Sequence, residues 1–303
     1  MDQNSVVIVT GANSGMGKAT CLAIARHGAN VVMLCRSRSR GEHALKEVRE
    51  ISKSSRIELM ICDLGDKESI EDFCMQFKKK YHRLDVLVNN AGVLRLGYHK
   101  TADGFEQHFG VNHLGHFLLT NRLLDLLVRS APSRIINVSS CAHKIGRIHF
   151  NDVDLNKNYS VWRGYAQSKL ANVLFTYELA ERLAGTGVTA NCLHPGIVAT
   201  NIVVNRDNGF GKLIARLQRM IFTLPEIGIQ TAIYLAASPE VEGVSGRYFC
   251  RSKAVLSSKR SYDKSAAKKL WELSEKMMGL NAYQIPGNVE YEPIEVDINS
   301  ISI

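Results

Sequence analysis

The chain has 303 residues, 45% of them hydrophobic and 22% charged, with 23 Gly and only 6 Pro. That balance excludes a disordered chain, a collagen-like fibre and a small disulfide-stapled scaffold. Lys and Arg number 38 against 29 Asp and Glu, a net charge of +9, and such an excess invites a phosphate-bearing partner: nucleic acid, an anionic membrane surface or a phosphorylated cofactor.

In chain order, VVIVT (Val6–Thr10), NVVMLC (Asn30–Cys35), RIELMIC (Arg56–Cys62), DVLVNN (Asp85–Asn90), RIINVSS (Arg134–Ser140) and VTANCLH (Val188–His194) read as strands. Each is nearly continuously apolar, as strands buried on both faces of a parallel sheet are. Helical spacing fills the intervals, over Lys18–His27, Glu42–Ile51, Ser69–Tyr81 and Phe105–Val128. Strand–helix alternation of this kind implies right-handed crossovers and an open, doubly wound, mostly parallel sheet of about seven strands with helices on both faces. No linker-like stretch divides the chain, so residues 1–280 are expected to form one α/β domain. Residues 281–303 form an acidic tail with Glu290, Glu292, Glu295 and Asp297 and no Lys or Arg. The preceding part then holds 38 cations against 25 anions, a charge of +13.

The seven cysteines make an odd count without a CxxC pair, and several lie in apolar runs, so they are expected to be reduced and mostly buried. The N-terminal MDQNSVVIVTG has no charged region followed by an apolar stretch, and no uncharged apolar run is long enough for a membrane helix. The expected location is cytoplasmic.

Directly after the first strand, TGANSGMGK places Gly11, Gly15 and Gly17 before a helix. Glycines there allow a tight turn and close approach of backbone to a pyrophosphate, which the helix N-terminus then stabilises. A glycine trio alone is a common turn; its setting between a buried strand and a helix is what points to a dinucleotide. Nineteen residues beyond Gly17, where a site for NAD places an acid, stands Arg36. Its planar, permanently charged fork suits a 2′-phosphate, with Lys18 and Arg38 available to add to the field, so the expected cofactor is NADP(H).

Tyr165 and Lys169 lie one turn apart on a strong helical segment, GYAQSKLANVLFTYELAERL. A free phenol titrates too high for proton exchange near neutrality, and a nearby ammonium favours its phenolate. So tuned, Tyr165 could act as general acid in carbonyl reduction or general base in alcohol oxidation.

TGxxxGxG, NNAG (Asn89–Gly92), Asn112 in VNHLGHF, NVSS (Asn137–Ser140), YxxxK and Pro195-Gly196 follow one another in the order of the short-chain dehydrogenases/reductases, which the chain resembles over about residues 5–250. YAQSKLANVLFTYELAERLAGTGVTANCLHPG and NVSSCAHKIG are similar to the retinol-dehydrogenase-like branch. The resemblance implies a Rossmann fold and a tetrad. Tyr165 would be the proton donor, and Lys169 its activator and ribose ligand. Ser140, rather than its supporting neighbour Ser139, would hold the substrate oxygen, and Asn112 would hold a water linking Lys169 to solvent. It also implies cofactor contacts at Gly11, Asn13, Ser14, Gly15, Met16 and Gly17 in the turn and at Arg36 after the second strand. Further contacts would come from Asp63 and Leu64 near the adenine and from Asn90, Ala91 and Gly92 beside the ribose. Tyr165, Lys169, Pro195, Gly196, Val198 and Thr200 would complete the set near the nicotinamide, and Asn89 would brace the central strand. No metal is expected, since His108, His113 and His116 have no complementary ligand spacing and read as packed or exposed helix residues.

Substrate choice is expected in residues 196–225, beyond the carboxyl ends of the strands. KLIARLQRMIF sets Leu213, Leu217, Met220 and Ile221 against Lys212, Arg216 and Arg219. This amphipathic stretch, 212–222, reads as a lid over an apolar pocket or as a peripheral membrane contact. The expected activity is hydride transfer between NADP(H) and a hydrophobic aldehyde or ketone, or the corresponding alcohol. The alternatives are a hydroxysteroid dehydrogenase and a non-catalytic NADP(H)-sensing regulator. No basic-aromatic module is present, so nucleic acid is not an expected partner. Pairing of Tyr165-bearing helices in similar proteins implies a homo-oligomer, a dimer or tetramer.

Overall fold

The computed structural model describes residues 1–195 and 225–280. Strands β1 (Val6–Thr10), β2 (Asn30–Cys35), β3 (Ile57–Ile61), β4 (Val86–Asn89), β5 (Ser133–Val138), β6 (Val188–Leu193), β7 (Tyr248–Cys250) and β8 (Lys253–Ala254) form one sheet. Their order is β3-β2-β1-β4-β5-β6-β7-β8. Pairing is parallel from β3 through β7; β8 alone returns antiparallel, with Phe249 opposite Ala254. This is a Rossmann-type sheet with one strand beyond the expected seven. The extra strand is only two residues long, too short to show in a hydrophobic pattern. It follows a tight turn in which Arg251 and Ser252 take φ of 53° and 57° without a glycine.

The helices are α1 (Gly15–Arg26), α2 (Arg38–Ser52), α3 (Lys67–Lys80), α4 (Gly115–Arg129), α5 (Val161–Arg182), α6 (Pro225–Ala237) and α7 (Lys264–Met278). Alternate strand residues face opposite layers, as the period of two requires. Val7 and Val9 of β1 join a core with Cys21 and Ile24 of α1, Val48 of α2 and Leu235 of α6. Val6 and Ile8 join the opposite core with Phe77 of α3, Phe117 of α4, Leu174 of α5 and Trp271 of α7. The continuous apolar helix expected over Phe105–Val128 is interrupted. A short turn at Gln107–Phe109 leads into a π-helical stretch, Gly110–Leu114, before α4 begins.

β1 lies between β2 and β4, so the chain winds away from it in both directions. The crevice opened by that reversal, at the carboxyl ends of β1 and β4, is where open α/β sheets bind ligands. Thr10, Gly11 and Asn90 stand there.

All seven cysteines are free; five are buried, Cys250 is half-buried and Cys141 is exposed. Among the described residues no helix is long and apolar enough to cross a membrane.

Candidate active site

The glycine turn is shaped by contact, not only by flexibility. Gly11 has φ of +66°, and a Cβ on it would come within 2.8 Å of Ala91 Cα; one on Gly17 would come within 2.5 Å of Asn90 Nδ2 and of Gly11 O. Asn90 itself donates from Nδ2 to Thr10 O at 2.7 Å, so its side chain buttresses the turn. The start of α1 is bare. Its N-cap residue Ser14 makes no side-chain capping bond, whereas Ser37, Asp66, Ser160 and Asp263 cap α2, α3, α5 and α7. Free N–H groups at a helix start, approached through a turn without Cβ atoms, suit a phosphate. The residues present therefore fit a dinucleotide. Asn13 is half-buried and Ser14 and Gly15 are exposed. Met16 differs, since its side chain is buried in the core shared by α1 and β1, leaving only its backbone toward the turn.

At the end of β2, Arg36 is exposed and forms no ion pair among the described residues. Lys18 and Arg38, expected to reinforce it, are engaged elsewhere. Lys18 pairs with Glu47 of α2, and Arg38 lies 3.8 Å from Glu42 one turn along its own helix. After β3, Asp63 Oδ1 accepts from Gly65 N at 2.9 Å, and Leu64 is buried in the core below.

The four residues of the expected tetrad stand together. Lys169 Nζ lies 5.7 Å from the centre of the Tyr165 ring. A Cβ on Gly92 would be 3.4 Å from Lys169 Nζ and 3.6 Å from Asn112 Oδ1. Lys169 is fully buried and donates to Val138 O at 3.1 Å, which also accepts from Asn172 Nδ2 at 3.2 Å. Burial pulls its ammonium down to about 8. Burial likewise pushes the Tyr165 phenol up, against a hydrogen bond with Ser140 that pulls it down. In the protein alone the expected lowering of the phenol is absent, because burial outweighs the hydrogen bond with Ser140.

The two serines differ in their surroundings. Ser139 is buried and its hydroxyl donates to Lys169 O at 2.7 Å. Ser140 Oγ accepts from Ala142 N at 3.2 Å and is the hydroxyl that hydrogen-bonds Tyr165. His143 then fixes this loop: it is bonded to Ser140 O at 2.7 Å through Nδ1 and accepts from Ser258 N at 3.1 Å through Nε2. Asn112 sits in the π-helical stretch, a kind of irregularity often found at functional sites. Its amide accepts from Val93 N at 2.7 Å and donates to Val93 O at 3.1 Å and Ser168 Oγ at 3.0 Å. Asn89 is a buried brace, donating to Thr120 Oγ1 at 2.9 Å and Asn137 Oδ1 at 2.8 Å. Pro195 is half-buried just past β6. Gly196, Val198 and Thr200, the stretch 212–222 and the tail 281–303 lie outside the described residues.

Thr10 was not among the expected site residues, yet its hydroxyl oxygen accepts from both Asn90 N and Ala91 N at 2.8 Å. Its signal was faint: a single hydroxyl at the end of β1, one residue before the first glycine. His108 and His116, read as packing, are buried and hydrogen-bonded on both ring nitrogens.

Residues 5–209 match the sequence profile of the short chain dehydrogenase family. Retinol dehydrogenase 14 of Homo sapiens is 48% identical over 293 residues, covering 90% of this chain and 86% of that one. Retinol dehydrogenase 12 of Mus musculus is 46% identical over 275 residues, covering 91% and 86%. A crystal structure of an uncharacterised protein from Mycobacterium paratuberculosis, 35% identical, is similar at a TM-score of 0.72 over 92% of this chain and 94% of that one. A Shigella flexneri short chain dehydrogenase complexed with NADP has a TM-score of 0.65 over 82% and 97%. At 22% identity that last likeness shows the fold alone. The chain belongs to the short chain dehydrogenase family, oxidoreductases of alcohol and carbonyl groups that use a nicotinamide cofactor. Within it, this is a retinol-dehydrogenase-like member.

Proposed function

We propose that the protein is an NADP(H)-dependent reductase of hydrophobic aldehydes and ketones, able to run in reverse on the alcohols. The observation that carries this reading is the cluster of Tyr165, Ser140, Lys169 and Asn112 about Gly92. Bound NADPH would supply the hydride for the carbonyl carbon. Ser140 orients the substrate oxygen, and Tyr165 delivers its phenolic proton to that oxygen, completing the alcohol. A phenol pushed up by burial holds its proton at neutral pH, which suits the acid role in reduction. Lys169, pulled down to about 8, gives up a proton readily to the phenolate and recovers one from water beside Asn112.

The choice of NADP(H) is supported by Arg36, an exposed cation at the end of β2 with no ion pair among the described residues, and by the bare start of α1. An apolar substrate is supported by two large, exposed apolar side chains close in sequence to Ser140 and Tyr165. Ile145, on the loop after Ser140, is 72% exposed, and Trp162, one turn before Tyr165, is 62% exposed. The retinol named in the relatives is an apolar alcohol of this kind. A screen of NADPH consumption against retinaldehyde, alkyl aldehydes and steroids tests the reading. Turnover of at least one apolar class is expected, with a loss of at least ~100-fold in Tyr165→Phe. Near-wild-type turnover of that variant would overturn the mechanism.

A further inference from the structure

Three side chains spaced four residues apart, His108, Asn112 and His116, run along one face of the helical stretch, and the first two grip the loop after β4. His108 Nε2 accepts from Arg95 N at 3.1 Å, and Asn112 holds Val93 at both its N–H and its carbonyl. His116 does not reach the loop itself. Its Nε2 is 2.9 Å from Thr10 Oγ1 and its Nδ1 is 3.0 Å from Asn112 O.

The hydrogens on this last link can be assigned by counting. A threonine hydroxyl has two lone pairs and one proton. Asn90 N and Ala91 N, both at 2.8 Å, occupy the lone pairs of Thr10. The one proton must leave toward His116 Nε2, since the other acceptor in reach, Val88 O, is at 3.4 Å. Nε2 is then unprotonated and Nδ1 carries the hydrogen, and Asn112 O can only accept. The bonds therefore point one way, from the N–H groups of Asn90 and Ala91 through Thr10 to His116 and on to Asn112. Burial, holding the imidazole down at about 4, agrees with a neutral ring.

We propose that His116 is a positioning residue that ties the nucleotide-binding turn to the Asn112 backbone, holding Asn90, Ala91 and Gly92 at the spacing the dinucleotide requires. Ala91 is the residue that Gly11 approaches most closely, and Gly92 faces Lys169 and Asn112. A loop held at Thr10 and at Asn112 but slack between them would move both the floor of the turn and the neighbour of Lys169. The proposal rests on the cofactor reading above, and its test separates the two.

The dissociation constant of NADPH is measured for the wild type and for three variants. His116→Phe removes both bonds and is expected to weaken NADPH binding about threefold to tenfold, the scale of one neutral hydrogen bond. His116→Gln places an acceptor where Nε2 stood and is expected to restore binding to within about twofold. His116→Asn keeps only the donor toward Asn112 and is expected to behave like His116→Phe. A role confined to packing would not sort Gln from Asn in this way. Equal dissociation constants for the wild type and His116→Phe would overturn this proposal alone. No NADPH binding by the wild type would overturn the cofactor reading and this proposal with it. Nitrogen NMR of the wild type near pH 7 is the second measurement: His116 is expected to carry its hydrogen on Nδ1, and a protonated Nε2 would overturn the chain of bonds.

Discussion

Lys169 is the residue whose burial works against the fold and for the chemistry. Its ammonium drops from the usual 10.5 to about 8, so the folded protein binds fewer protons than the unfolded chain between those values. Stability attributable to this group therefore rises as pH climbs from about 8 to 10.5, and below 8 the full cost of the buried charge, about 3 kcal/mol, is present. Lys169→Met should stabilise the protein at pH 7 by up to that amount and abolish turnover, and its advantage should fade by pH 10.5. Urea denaturation at the two pH values checks it. The loss of the donor is tolerable because Val138 O keeps its bond from Asn172. Arg36 makes the second residue-scale prediction. Arg36→Asp should weaken NADPH about 10- to 100-fold, the range of a charge-assisted hydrogen bond, with little loss of NADH. Equal losses for the two nucleotides, read by titration, would remove the case for a 2′-phosphate contact. Arg36 was legible because it interrupts an expected acid. The engagement of Lys18 with Glu47 was not, because that pair joins α1 to α2 across 29 residues of sequence.

At the scale of elements, α5 is buried along almost its whole length, from Gly164 to Leu179. The sheet covers one side, and α7 covers another. Trp271 of α7 packs edge-on to Phe117 at 4.9 Å and near Phe175 at 5.8 Å, with the Arg182 guanidinium 4.2 Å over its ring. His113 reaches Ser274 Oγ at 2.9 Å across the same contact. Trp271→Ala should cost about 3–5 kcal/mol in a denaturant titration, the range for deleting a buried aromatic. Self-association through this face of α5 would require α7 to leave. The π-helical stretch is the other element-scale device. A four-residue step overshoots a 3.6-residue turn by about 40°, and the wider π turn takes rotation back, so His108 and His116 stay on one line. Nothing in the sequence marked this interruption, because the apolar spacing of Phe105–Val128 runs straight through it.

For the whole molecule, the sheet was the most legible part. Strands buried on both faces leave continuous apolar runs, and the expected bounds of β1 and β2 are those observed. What could not be read was whatever depends on distant partners: the docking of α7, the bond of His116 to Thr10, the two-residue β8. The grouping of Asn112, Ser140, Tyr165 and Lys169 was legible through the order of their motifs, while the bond from Lys169 to a carbonyl required the position of Val138. At the crevice the net charge of +9 leaves Arg36 exposed and without an ion pair among the described residues, while Lys18 and Arg38 each lie beside a glutamate. One arrangement bears on motion. Thr10, Asn89 to Gly92, and Val138 to Ser140 all leave β1, β4 and β5, three adjacent strands at the middle of the sheet. Amides there should exchange with deuterium only when the whole protein opens, while β8, short and exposed at the edge, should exchange first. The groups proposed to hold cofactor and substrate would then hang from the last part of the protein to loosen, and fraying at the far edge would leave their spacing unchanged.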